Sequence, residues 1–100
     1  MTQQQSPSGQ QQVQVKATDE VLKGAYANMA QIVHTAEEFV VDFMNIVPPT
    51  GNLVSRVIVS PAHAKRIAQV LTENVKKYEE VFGAIKASEN PDHKIGFRTE

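Results

Sequence analysis

The stretch from residue 38 to residue 47 reads EFVVDFMNIV, and its apolar residues fall on both parities. In a strand, Phe39, Val41 and Phe43 would share one face while Val40, Met44 and Ile46 shared the other. β-Branched and aromatic side chains dominate, which suits a pleated strand better than a helix. Residues 25–34, AYANMAQIVH, repeat the pattern, with Tyr26, Ala30 and Ile32 on one parity and Ala25, Ala27, Met29 and Val33 on the other. Residues 53–59, LVSRVIV, form a third run of the same kind. Strands that are apolar on both faces need cover on both faces.

The chain offers one helix as cover. Ser60 stands where an N-cap hydroxyl belongs, and Pro61 suits the first helical position, whose N–H has no intrahelical partner in any case. Ala64, Ile67, Ala68, Leu71, Val75, Tyr78 and Phe82 then recur at helical spacing, and Gly83 is a good terminator. A helix of about 22 residues is about 33 Å long. It would overhang an eight-residue strand of about 27 Å. The opposite face carries Lys65, Arg66, Gln69, Glu73, Lys76, Lys77 and Glu80, an ordinary solvated face of mixed sign in which Glu73 and Lys77 form a favourably ordered i,i+4 pair.

The other segments are shorter. Val13, Val15 and Ala17 alternate with polar residues, the period of a short half-buried strand. In residues 18–24, Thr18 can cap one helical turn that Gly24 ends, with a turn or short strand as the alternative. Residues 34–37 supply a turn and residues 48–52, PPTGN, a loop. Residues 1–12 hold six glutamines with almost nothing to bury, and are expected to be a disordered tail. Residues 84–100 read as mostly irregular, with Ile95 to Phe97 as a candidate docked segment. The fold expected is α+β: an antiparallel meander of three to four strands followed by one long C-terminal amphipathic helix, with residues 13–83 as the single domain.

Several function classes find no support. Lys plus Arg total 10 and Asp plus Glu 11, so net charge gives no bias toward nucleic acid or acidic membranes. There is no cysteine, hence no disulfide, thiolate chemistry or cysteine-held zinc. His34, His63 and His93 are isolated from one another and from acid partners at ligand spacing, so no metal or catalytic site is expected. Ser60 lacks the Gly-x-Ser-x-Gly frame of a nucleophile elbow, and the five glycines are scattered. No cofactor is expected. The N-terminus lacks the basic and apolar regions of a signal peptide, and no apolar run is long enough to span a membrane; the expected location is cytoplasmic.

Two features remain. Asp42 and Arg56 are charges in the middle of apolar strands. If those strands are antiparallel neighbours, the two could face each other as a structural ion pair. Lys65, Arg66, Lys76 and Lys77 make a weak basic strip, diluted by Glu73, Glu79 and Glu80. The ordered region is only roughly 70 residues, a size that buries about 60% of its unfolded surface and is marginal alone. With one helix for two apolar faces, a second copy is the simplest supply of cover, as an isologous dimer packed sheet on sheet. The alternative is that the N-terminal strand and C-terminal tail fold back over the second face.

The residues Tyr26-Ala-Asn28, Glu38-Phe-Val-Val-Asp-Phe43, Ser55-Arg-Val-Ile-Val-Ser-Pro-Ala-His-Ala-Lys-Arg66 and Tyr78-Glu79 resemble the pattern of a family of small bacterial and archaeal proteins classed only as a domain of unknown function. They span about two-thirds of the chain. The resemblance implies no settled activity; it supports residues 13–83 as one module and the glutamine-rich tail as an accessory. A meander followed by a long helix also resembles SecB-type export chaperones in outline. The function expected is a non-enzymatic, homo-oligomeric protein-interaction module, homodimer or larger, with a protein partner still to be identified and no membrane. The alternatives are a nucleic-acid-associated accessory protein or a SecB-like chaperone for unfolded segments.

Overall fold

The structure is a computed structural model that describes residues 11–86 and 94–99. Its elements run α1 (Asp19–Lys23), β1 (Met29–His34), β2 (Phe39–Val47), β3 (Thr50–Val59) and α2 (Pro61–Phe82). The strands make one antiparallel sheet in the order β1-β2-β3. This is the α+β meander-then-helix arrangement that the patterning predicts. The chain divides into two compact units, one ending at Val59 and one beginning at Ser60.

In the first unit, Thr18 caps α1 by accepting from the Val21 N–H, and Gly24 ends it at φ 78°. The short strand expected at residues 13–17 does not form. Val13 and Val15 are exposed coil. Alternation over so few residues has no force without a neighbouring strand to complete its hydrogen bonds. β1 also starts later than the apolar run, at Met29 rather than Ala25. Between β1 and β2, the Thr35 Oγ1 accepts from the N–H groups of Glu37 and Glu38, while the Thr35 N–H donates to the Glu38 carbonyl.

The expected loop at residues 48–52 shrinks to a two-residue turn. Val47 pairs with Thr50 across Pro48-Pro49, whose peptide bond is cis, and β3 continues through Gly51 and Asn52. Gly51 lies where a Cβ would meet the Ile46 Cγ1 at 3.0 Å, so the missing side chain lets β3 sit close to β2. Burial is deepest along the middle of β2, at Asp42 and Met44.

In the second unit, α2 follows its sequence signals residue by residue. The Ser60 hydroxyl accepts from the His63 N–H, Pro61 opens the helix, and Gly83 closes it at φ 93°. Thr72 and Asn74, weak helix formers, turn their side chains back onto the carbonyls of Ala68 and Val70. Tyr78 and Phe82 lie one turn apart with ring centroids 4.9 Å from each other.

Candidate functional site

The sheet register sorts the side chains into rows. Ala30, Phe43 and Ser55 lie in one row, Ile32, Val41 and Val57 in the next, both on one face. On the opposite face Gln31, Asp42 and Arg56 form a polar row, bordered by Val33, Val40 and Ile58 on one side and Met29, Met44 and Leu53 on the other.

A β-bulge creates the polar row. From the turn outward, Val47 pairs with Thr50 and Met44 with Leu53, but Phe43 pairs with Ser55. Val54 is the extra residue. Without it the register would set Asp42 opposite Ser55 and turn Arg56 to the other face, since a one-residue slip exchanges the faces of a strand. With it, Asp42 and Arg56 stand directly opposite each other.

The structure brings the two charges into a forked contact. The Arg56 Nε donates to the Asp42 Oδ1 at 2.7 Å and the Nη2 donates to Oδ2 at 2.9 Å. The Asp42 side chain is 4% exposed and that of Arg56 48%. The guanidinium thus covers the carboxylate while keeping half its own surface in solvent. The hydrogen bonds from Arg56 hold the Asp42 carboxyl below its usual range against the opposing effect of burial. Asp42 in turn raises Arg56. A carboxylate with both oxygens engaged by a permanent cation is a poor proton acceptor, and the chemistry of the pair is that of a cross-strand tie.

Asn28 is a second polar anchor, one that the sequence patterning gave no role. Its side chain donates to the Ile46 carbonyl at 3.0 Å and accepts from the Ile46 N–H at 2.8 Å. Its own N–H donates to the Met44 carbonyl at 2.9 Å. The amide side chain thereby imitates a further residue of the β1 backbone, extending the ladder past the end of the strand. An asparagine just before an apolar strand is the only sequence signal of such a role.

The basic strip lies on α2. Lys65, Arg66, Lys76 and Lys77 are all exposed; Glu73 interrupts the line from Arg66 to Lys77, and Glu80 follows Lys77 along it. His34 stacks on Phe39 with ring centroids 5.1 Å apart at the end of the β1–β2 ladder. His63 is exposed in the first turn of α2. His93 lies outside the described residues. Among the described residues no three His, Asp or Glu side chains converge as a metal site would require, and no helix is long and apolar enough to cross a membrane.

Meander, forked ion pair and capped helix define a small α+β protein whose sheet is tied by polar cross-strand contacts. The chain belongs to the family described as protein of unknown function DUF3467, whose profile matches residues 1–87. No curated protein and no solved structure matches it.

Proposed function

We propose that this protein is a non-enzymatic, homo-oligomeric interaction module, acting in the cytoplasm by presenting its assembled surface to a second, unidentified protein. The observation that carries the reading is the apolar surface left open. Among the described residues Met44 is the only hydrophobic residue that is almost fully shielded from solvent, at 3% exposure. Ile32, Phe43 and Val57 are exposed on one face of the sheet, and Leu71 and Phe82 on the helix, at 61% and 72%. Exposed apolar surface on this scale marks association sites in proteins that stay in solution. An ordered region of roughly 70 residues is also marginal on its own core, so further burial on association would stabilise it. The non-enzymatic half of the reading draws support from the ion pair, where the buried Asp42 carboxylate is committed to Arg56.

Light scattering after size exclusion at micromolar concentration tests the reading. The expected mass is a multiple of 11.0 kDa, two or more. A folded monomer across that concentration range would refute it.

A further inference from the structure

On α2 the residues Ala64, Ala68, Leu71, Val75, Tyr78 and Phe82 recur at alternating steps of four and three. That is the a/d period of a helix–helix seam, with Ile67 and Val81 widening the apolar stripe on one flank. The residues along it are graded by size. Alanines occupy the N-terminal third and the aromatic pair Tyr78–Phe82 the C-terminal third.

We infer that α2 pairs antiparallel with α2 of a second copy along this seam. The inference rests on the self-association proposed above and names the surface. An antiparallel seam layers each a residue against a d residue of the other helix. Taken symmetrically, Ala64 lies opposite the partner copy's Phe82, Ala68 opposite its Tyr78, and Leu71 opposite its Val75. Every layer then joins a small residue to a large one, or two of middle size, as close packing requires. A parallel pair would instead set alanine on alanine, leaving gaps, and crowd tyrosine on tyrosine and phenylalanine on phenylalanine.

The flanking positions fit the same arrangement. Lys65 and Glu79 each follow a d residue, and antiparallel pairing sets such positions against each other, so Lys65 of each copy meets Glu79 of the other. Within one helix they are 14 residues apart, about 21 Å, and cannot interact. On the other flank, Ile67 meets the partner copy's Val81 and Asn74 meets its own counterpart. This gives a partner to Ile67 and Val81, two apolar side chains beside the seam that are exposed in the single chain. Complementarity of size and charge in one register selects a second copy of this helix as the occupant.

The chain has no cysteine, so single introduced thiols in the full-length protein report the geometry. Asn74→Cys, and Thr72→Cys as a second variant should the first fold poorly, lie near the two-fold axis and should oxidise to a covalent dimer. Lys65→Cys should not cross-link to itself, because antiparallel copies hold that position about 24 Å apart. Lys65→Cys mixed with an affinity-tagged Glu79→Cys should yield the mixed dimer. In a second arm, Lys65→Glu should raise the dimer dissociation constant roughly tenfold. Lys65→Glu combined with Glu79→Lys should restore it. Self-cross-linking of Lys65→Cys would overturn the antiparallel pairing. Absence of cross-links at Asn74 and Thr72 in a protein that light scattering still reads as a dimer would overturn the helical interface and leave self-association standing, with the seam covered by its own chain or the sheets as the interface. A folded monomer would overturn both.

Discussion

Replacing Asn28 by alanine removes a side chain that does backbone work. Two hydrogen bonds to Ile46 disappear, one from its N–H and one to its carbonyl. A hydrogen bond of this kind contributes about 0.5–1.5 kcal/mol net, because folding exchanges water for protein partners. Both bonds lie in exposed surroundings, so water can take over the freed Ile46 groups and the low half of that range applies. The expected loss is therefore about 1–2 kcal/mol, a factor of roughly 5–30 in the folding equilibrium. Asn28→Asp keeps an acceptor for the Ile46 N–H but sets an anionic oxygen against the Ile46 carbonyl, and should cost at least as much as alanine. Urea denaturation followed by circular dichroism measures both, at fixed protein concentration because self-association shifts apparent stability. The midpoint should fall while the slope stays constant. An Asn28→Ala protein within about 0.5 kcal/mol of the native one, the range of ordinary surface substitutions, would refute the claim that the side chain extends the ladder.

Ser60→Ala removes the hydroxyl that accepts from the His63 N–H and should cost about 1 kcal/mol in thermal or urea unfolding. Gly83→Ala places a side chain at φ 93° and ψ 170°, a region open essentially to glycine alone, and should cost about 1–3 kcal/mol by the same measurement. Arg56 lowers the Asp42 pKa on folding, so its contribution to stability is fully present above the unfolded value of about 4 and is lost as pH falls through the folded one. Asp42→Asn should abolish that part of the acid sensitivity in urea midpoints taken across the acid range, and Arg56→Gln should do the same. Equal acid sensitivity in all three proteins would contradict the pairing. In a double-mutant cycle the two substitutions should cost less together than the sum of each alone, because the second removes a partner already lost.

What the sequence makes legible follows from how local each signal is. The bounds of α2 rest on Ser60, Pro61 and Gly83 acting within a turn of themselves, and the structure places its ends where those residues stand. β2 is legible for a related reason, since its run of β-branched and aromatic residues marks a strand whatever its partners. The edges are less so. Whether residues 13–17 form a strand depends on a neighbour that their own alternation does not specify, and β1 begins at Met29 because Asn28 there takes over the pairing with Ile46. The turn at Pro48-Pro49 likewise reads as a longer loop until Thr50 and Gly51 are seen to pair with Val47 and Ile46.

The Asp42–Arg56 pair shows the division most clearly. Each residue is conspicuous in its strand, and the prospect of their meeting follows from antiparallel neighbours alone. Counting outward from the turn, however, sends them to opposite faces. Val54 reverses that count, yet nothing in LVSRVIV distinguishes it from the valines beside it. The bulge therefore belongs to the energetics of the whole sheet. An unshifted register would leave the Asp42 carboxylate beside Ser55 among Met44, Val40 and Ile46, with Arg56 set against Val41 on the far face. Desolvating a carboxylate without a cation costs more than one residue's ladder hydrogen bonds return. The ion pair selects the bulge, and the bulge divides the sheet into a polar-centred face and the apolar face of Ile32, Val41, Phe43 and Val57.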